Sequence, residues 1–390
     1  MGASAVDVVD AADLDREARA DWARFRAARP ELASPYFDLR YVLAASQVAP
    51  GAGVAVIRQD GEIAGFFPFQ RRGGLIQPLA APLTDYHGLI SRLGADIDLP
   101  EVVAALGARR FRYSGLVPSG AVHGAGRAAM VADLSAGFDG WLAQRRAAGH
   151  GDFLRDKARR RRQLETKHGQ LAFSLERRSG EVLELVLALK SRQMRRTGQH
   201  DVFSAPWTQD LLRRLTASTE ADFGLRFAVL RAGERIVAAE LGLISGDSYH
   251  LWFPIYDPEY AKFSPGALMT LASLEALAEL GVRRVDFGPE GEDYKKFFAD
   301  PAGEVVEGEV RVGPRPLGGL ADAALDAAPP LLRRVATRLD RRLDRITACE
   351  PQMVPRMGQT LKSVALIGRR PRKFPAGASL GLAALGPTAE

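Results

Sequence analysis

The chain has 390 residues, 46% hydrophobic and 26% charged. At roughly 100–200 residues per domain this suits two globular domains and a tail. Its 53 basic residues exceed the 47 acidic ones by only six; that excess points to local basic patches, and DNA is not an expected partner. The single cysteine, Cys349, excludes an internal disulfide and a Cys-based zinc site, and no metal is expected.

The N-terminal stretch MGASAVDVVDAADLDREARADW is acidic and lacks the apolar run of a secretory signal. Nowhere do 18 consecutive apolar residues occur, so no spanning helix is expected. A cytoplasmic protein, at most peripheral to the inner membrane, is the expectation.

In chain order, helical spacing of Leu14, Ala18, Trp22 and Phe25 predicts a helix over 11–29. SPYFDLRYVLAAS (34–46) reads as a turn entering a helix, with Ser34 as cap and Pro35 in the first turn. Two apolar runs around Gln59-Asp60-Gly61 predict a hairpin over 53–74. LTDYHGLI (83–90) is a loop running into a strand, 99–116 reads as helix, Gly stop and strand, and 133–145 leads into a further helix. A basic helix follows over 153–169, then a strand (170–180) and helices at 181–198 and 206–219. Residues 225–257 form three antiparallel strands with turns at Gly233 and Gly246. A helix (265–280), a strand (283–287) and a last strand (303–313) complete an α/β (α+β) pattern. No internal repeat is visible in the sequence itself.

The stretch YAKFSPGALMTLASLEALAELGVRRVDFGPEGEDYKKFF (260–298) carries most of the functional signal. The first N–H groups of a helix are unpaired and its dipole adds about half a positive charge there, so Ser264-Pro265-Gly266 is a candidate anion site. An ordinary Ser-capped, Pro-started helix explains the same residues.

Tyr256-Asp257, Tyr260, Ser264-Pro265-Gly266, Asp286-Phe287-Gly288 and Tyr294-Lys295 together resemble the GNAT-fold acetyltransferase domain of the CelD-like family, linked to bacterial exopolysaccharide and holdfast synthesis and related to the Fem peptidyltransferases. SPYFDLRYV and LTDYHG resemble the same family's first half, and the likeness spans roughly 30–310. The resemblance implies tandem GNAT-like units with mixed, largely antiparallel sheets: an N-terminal unit (1–150), a C-terminal acetyltransferase unit (151–313), a linker with a basic helix (314–368) and a disordered tail (369–390). It implies acetyl-CoA as co-substrate, with pantetheine along strand 249–255, strand 283–287 as the second splayed strand, and pyrophosphate on the N–H groups of Ser264, Gly266, Ala267 and Leu268. The acceptor it implies is an amino sugar of a polysaccharide precursor. The usual Gln/Arg-x-x-Gly-x-Gly/Ala loop is only partly kept in EYAKFSPGA, which leaves an aminoacyl-tRNA donor, or a catalytically silent regulator, as alternatives.

Acylation of an amine needs a base for its proton, donors for the oxyanion and an acid for the thiolate. Glu240, His250 and Asp286 are candidate bases, Tyr294 the candidate acid, and Lys295 an anion-binding or orienting residue. Each has a plainer explanation: Glu240 facing solvent on an alternating strand, His250 structural, Asp286 capping the glycine turn after it, and Tyr294-Lys295 on a surface loop.

Two basic segments remain. RDKARRRRQ (155–163) reads as a solvated helix face, a clamp on a phosphorylated sugar, or a nucleic-acid contact. In 329–348, Leu331, Leu332, Val335, Leu339, Leu343 and Ile346 share one helical face among arginines. That helix packs on the second unit, rests on an anionic membrane, or grips cyclic di-GMP through Arg334, Arg338, Arg341 and Arg342.

Overall fold

The computed structural model describes residues 5–119, 124–313 and 345–350, together with Pro329, Leu339, Arg342 and Leu343. The first half comprises β1 (Ala5–Val9), α1 (Arg16–Ala27), α2 (Leu39–Ser46), β2 (Ala52–Gln59), β3 (Glu62–Arg72), β4 (Leu75–Pro78), the short β5 (Ile90–Ser91), α3 (Leu99–Ala105) and β6 (Arg110–Leu116). After β7 (Ala125–Asp133), α4 (Gly137–Arg145) and α5 (Gly151–His168) lead into the second half. This comprises β8 (Leu171–Glu176), α6 (Gly180–Arg196), α7 (Pro206–Thr216), β9 (Phe223–Ala232), β10 (Arg235–Ser245), β11 (Ser248–Tyr256), α8 (Pro265–Glu279), β12 (Arg284–Pro289) and β13 (Asp300–Arg311).

Setting the two-residue β5 aside, the order strand, helix, helix, three strands, helix, strand occurs twice. In each copy the last strand pairs parallel with the third of the three: β6 with β4 and β12 with β11. The repeat invisible in the sequence is therefore plain in the topology, because it is carried by the order of hydrophobic periods and not by residue identity. All strands join one mixed sheet in the order β1-β2-β3-β4-β6-β13-β7-β12-β11-β10-β9-β8, with β5 on β3. The two halves exchange strands at the centre. β7, from the first part of the chain, pairs with β12, and β13 returns to pair with both β6 and β7.

Apolar side chains from α1, α2, α6 and α7 meet in one large cluster on one face of the sheet, including Trp22, Phe25, Phe66, Leu183, Leu211, Leu241 and Trp252. The opposite face is covered by α3 in the first half, through Leu99, Val102 and Val103. In the second half α8 covers it, through Leu268, Met269, Leu274 and Leu277. Full burial of each such side chain contributes about 1.5–3 kcal/mol. Polar links reinforce the shared face: Ser245 Oγ donates to Asp38 Oδ2 at 2.6 Å and accepts from Arg26 at 2.8 Å.

Local chemistry explains most element ends. Asp60 (φ 52°) and Gly61 (φ 85°) make the tight β2–β3 turn, a type that needs positive φ at both central positions. The cap of α2 differs from expectation. Ser34 and Pro35 start a short 3-10 turn, and Asp38 caps the helix by accepting from Arg40 N–H at 2.9 Å. β1, β4 and β7 have no counterpart among the expected elements: Ala- and Val-rich runs with little alternation carry weak strand signals, and the four-residue β4 is too short to show a period.

The described end of the C-terminal segment packs on the protein. Ile346 and Cys349 are buried, Trp207 Nε1 donates to Cys349 O at 3.1 Å, and Arg72 donates to Ala348 O at 3.0 Å. Arg342 donates to Gly198 O. Arg334, Arg338 and Arg341, like the tail from 369, lie outside the described residues.

Candidate active site

β11 and β12 pair in parallel only through Ser248–Arg284, Tyr249–Val285 and His250–Asp286. Past that point the strands part, and Leu251–Tyr256 keep a backbone edge with no partner strand on that side among the described residues. The chain turns from β11 through a 3-10 segment (Pro258–Phe263) into α8, whose N-terminus stands beside the opening. Splayed strands followed by a helix N-terminus therefore lie where the resemblance implies them.

The helix entry differs in detail. Ser264 sits in the left-handed region (φ 56°, ψ 50°), which costs a non-glycine residue about 1 kcal/mol or more. Its hydroxyl does not cap α8; it accepts from Lys157 Nζ at 3.3 Å. Two of the four proposed N–H donors are already used: Ser264 N–H donates to Ala261 O and Leu268 N–H to Ser264 O. Gly266 and Ala267 carry the free donors, since Pro265 has none. Tyr256, half exposed, lies close to Gly266: a Cβ built on that glycine would be 3.8 Å from Tyr256 Cδ1.

The basic helix α5 stands against this entry. Lys157 is buried, lies 4.9 Å over the Phe153 ring and is paired with Asp156 at 2.9 Å. Arg159 and Arg160 share the same Asp156, and Arg160 also donates to Lys262 O. The run is thus partly self-neutralised, and its inner side is set beside the α8 N-terminus.

At the point of divergence His250 is sealed from solvent. Its Nε2 is 3.0 Å from Asp85 Oδ2, and its Nδ1 is 3.6 Å from Asp286 Oδ1, an ion-pair separation rather than a hydrogen bond. Burial opposes a charge on the imidazole, but Asp286 and Asp85 outweigh it and lift its pKa to about 9. His250 is therefore an imidazolium at neutral pH and is poorly suited to act as a base. Burial alone would raise the Asp286 carboxyl; His250, Gly288 N–H (2.7 Å) and Tyr86 Oη–H (2.8 Å) hold it below the usual range. Asp286 does cap the glycine turn, and it anchors the histidine as well. All three contacts converge on Oδ1 and favour the ionised form, which makes Asp286 a weak base.

Glu240 is fully buried rather than facing solvent. Tyr249 Oη donates to its Oε1 at 3.1 Å, and its Oε2 has no partner. Burial pushes its carboxyl up to about 8, against the opposing effects of Tyr249, His250 and Lys190. Lys190 on α6 is pulled down to about 8 by burial, offset in part by Glu292 and Glu240.

Tyr294 is 40% exposed, and burial of its hydroxyl end with the charges of Glu292 and Glu240 keeps the phenol protonated. Lys295 Nζ donates to Pro289 O at 2.8 Å and pairs with Glu292 at 2.5 Å. The loop is held from behind: Phe153 stacks on Phe297 at 4.4 Å, and Trp141 Nε1 donates to Phe298 O at 2.9 Å.

Of the five candidate catalytic residues, His250 and Asp286 stand where β11 and β12 part, Lys295 Nζ lies beside Gly288 just after them, Tyr294 precedes it on the same loop, and Glu240 is buried in β10. Sequence reasoning missed Asp85, Tyr86, Lys157 and Lys190. Asp85 and Tyr86 stood in LTDYHG, a motif whose contact lies some 165 residues away in the chain; Lys190 and Lys157 gave no signal, one on an amphipathic helix and the other within a charge run.

A family profile described as acetyltransferase (GNAT) domain matches residues 152–296. No curated protein sequence matches the chain. Among solved structures, a tandem GNAT protein from the clavulanic acid biosynthesis pathway is similar at 12% identity and TM-score 0.47, covering 80% of this chain and 100% of that one. FemX is similar at 12% identity and TM-score 0.44, covering 78% and 96%. The C-terminal domain of a putative lysylphosphatidylglycerol synthetase from Agrobacterium fabrum is similar at 13% identity and TM-score 0.39, covering 79% and 96%. The segment that builds the splayed strands, α8 and the Tyr294-Lys295 loop is thus similar to the acetyltransferase (GNAT) domain family.

Proposed function

We propose that the chain is an N-acyltransferase that moves an acyl group, acetyl in the simplest case, from coenzyme A to a primary amine. The observation that carries this reading is the parting of β11 from β12 immediately after His250 and Asp286, beside the start of α8. The open edge of Leu251–Tyr256 can hydrogen-bond the amides of pantetheine as an added strand would. Gly266 and Ala267 offer N–H groups, and Lys157 a nearby cation, to the pyrophosphate.

In the reaction the amine nitrogen attacks the thioester carbonyl, the C–S bond breaks and the amide forms. Tyr294 gives its proton to the leaving thiolate, and Lys295 bears on the developing oxyanion. The sealed free oxygen of Glu240 is assigned as the final acceptor of the proton lost by the amine, reached by relay and not by direct contact. With its pKa near 8, Glu240 is increasingly competent as pH rises toward that value. An amino sugar is the acceptor favoured by the resemblance to exopolysaccharide-pathway enzymes.

The test is thiol release from acetyl-CoA, followed with a thiol reagent on adding glucosamine. Amine-dependent release with a matching acetylated product supports the reading. No amine-dependent release from acetyl-CoA, or from longer acyl-CoAs, with a panel of primary amines contradicts it.

A further inference from the structure

Asp85 belongs to the first half of the chain, yet it completes the opening in the second. It lies in the connection between β4 and β5, which is pinned to β11 where Trp252 Nε1 donates to Leu83 O at 3.0 Å. Its side chain is 43% exposed, whereas His250 is 0% and Asp286 4% exposed. One carboxylate oxygen, Oδ2, is held by His250. Oδ1 has no hydrogen-bond partner among the described residues.

Gly288 forms the floor beneath it. A Cβ built there would lie 3.7 Å from Lys295 Nζ and 3.8 Å from both Asp85 Oδ2 and His250 Cε1. The glycine's missing side chain thus leaves room, at ordinary contact distance, beside a carboxylate, an imidazolium edge and an ammonium. His250 and Lys295 are each already paired with a carboxylate. Asp85 Oδ1 is an uncommitted hydrogen-bond acceptor at this rim.

We propose that Asp85 Oδ1 is the seat for a cationic primary ammonium group, fixed in direction by the Asp85–His250 bond, and that the first half of the chain thereby selects the acceptor. A neutral hydroxyl would exchange one water contact for another, whereas an ammonium gains a charge-assisted bond with an aligned carboxylate. The inference rests on the acyl-transfer reading only for calling the bound amine the acceptor; in that reading the seated ammonium first loses one proton to solvent, the neutral amine then attacks, and the second proton is the one assigned to Glu240.

Glucosamine and n-propylamine are the probes, with binding read by saturation-transfer NMR on the full chain without any donor. Acetyl-CoA affinity is measured in parallel. The expected result is amine binding to the wild type that weakens about tenfold or more in Asp85→Asn. Acetyl-CoA affinity should stay within about twofold in that variant, since its free-energy change would then be below thermal energy. Asp85→Glu, which keeps the charge, should recover part of the amine affinity if the variant with Asn is well folded. Equal amine affinity in wild type and Asp85→Asn overturns the proposal, as does no amine binding to folded wild type. Loss of amine binding in Asp85→Asn together with no acetyl-CoA binding to any form leaves the ammonium seat standing and removes the acyl-CoA reading instead.

Discussion

His250 Nε2 and Asp85 Oδ2, 165 residues apart in sequence, meet at 3.0 Å across the two halves of the protein. The histidine also faces Asp286 at 3.6 Å, so one imidazolium ties the loop of the first half to the parting strands of the second. The interaction is therefore both structural and local to the site.

Stability should depend on His250 in a defined pH window. Its folded pKa is raised from 6.5 to about 9. The stabilisation is then fully present below pH 6.5 and is lost as pH rises through 9. A shift of this size corresponds to about 3 kcal/mol at most. Thermal unfolding of the wild type should fall by several degrees between pH 6.5 and 9.5, with the fall much reduced in His250→Gln. Parallel curves for the two proteins would show that the histidine is not charged in the folded state.

Glu240 should show a related window with a different residue and a different remedy. Its carboxyl is raised from 4.5 to about 8, so the folded protein favours the protonated form. Its contribution is present below pH 4.5 and is lost as pH rises through 8, because the unfolded chain ionises first. Glu240→Gln should therefore be little changed at pH 4.5 and more stable than wild type at pH 9 by roughly 2–4 kcal/mol, a discounted share of the full shift. Chemical denaturation at the two pH values decides this. In turnover the same variant should lose the rise in rate toward pH 8.

Gly242 is needed for the Tyr249–Glu240 contact. A Cβ there would fall 1.9 Å from both Cζ and Oη of Tyr249, inside any allowed contact. The ring is fully buried and cannot swing clear. Gly242→Ala should destabilise the fold by about 2–3 kcal/mol or more, seen as a lower denaturation midpoint. A neutral effect would mean that the ring does not occupy this place.

Much of this was legible in the sequence. Gly233, Gly246 and Gly281 punctuate β9 through β12 with positive φ, and the Ser-Pro-Gly entry fixed the start of α8. Glu240, His250 and Asp286 are candidates as polar residues on predicted strands near the cleft, and Tyr294 and Lys295 as elements of the family resemblance. What the sequence could not show depends on long-range packing. Nothing local says that Asp85 pairs with His250, that Lys157 reaches Ser264, or that β13 returns to pair with β6. Burial also reverses roles: His250 is a candidate base by residue type and a fixed cation once two carboxylates face it. Ser264 looked like a cap by residue type, but its left-handed backbone turns the hydroxyl to Lys157 instead.

Tyr294 can be tested without disturbing the fold, since it is partly exposed. Tyr294→Phe removes one hydroxyl and keeps the ring against Phe298, whose centroid is 6.4 Å away. Turnover should fall about 10²–10⁴-fold with donor affinity unchanged, the span expected for losing an acid catalyst. An unchanged rate would assign the leaving-group proton to another donor.

The most direct measurement is calorimetric titration of the full chain with acetyl-CoA, wild type against Gly266→Glu. The substitution has room, since its Cβ meets nothing closer than Tyr256 Cδ1 at 3.8 Å, and a carboxylate in the first turn of α8 favours the helix. Saturable binding to the wild type that is lost in a folded Gly266→Glu, whose charge would repel the pyrophosphate, is the expected result. Equal binding to both proteins, or none to the folded wild type, would contradict a coenzyme A site between β11, β12 and the start of α8.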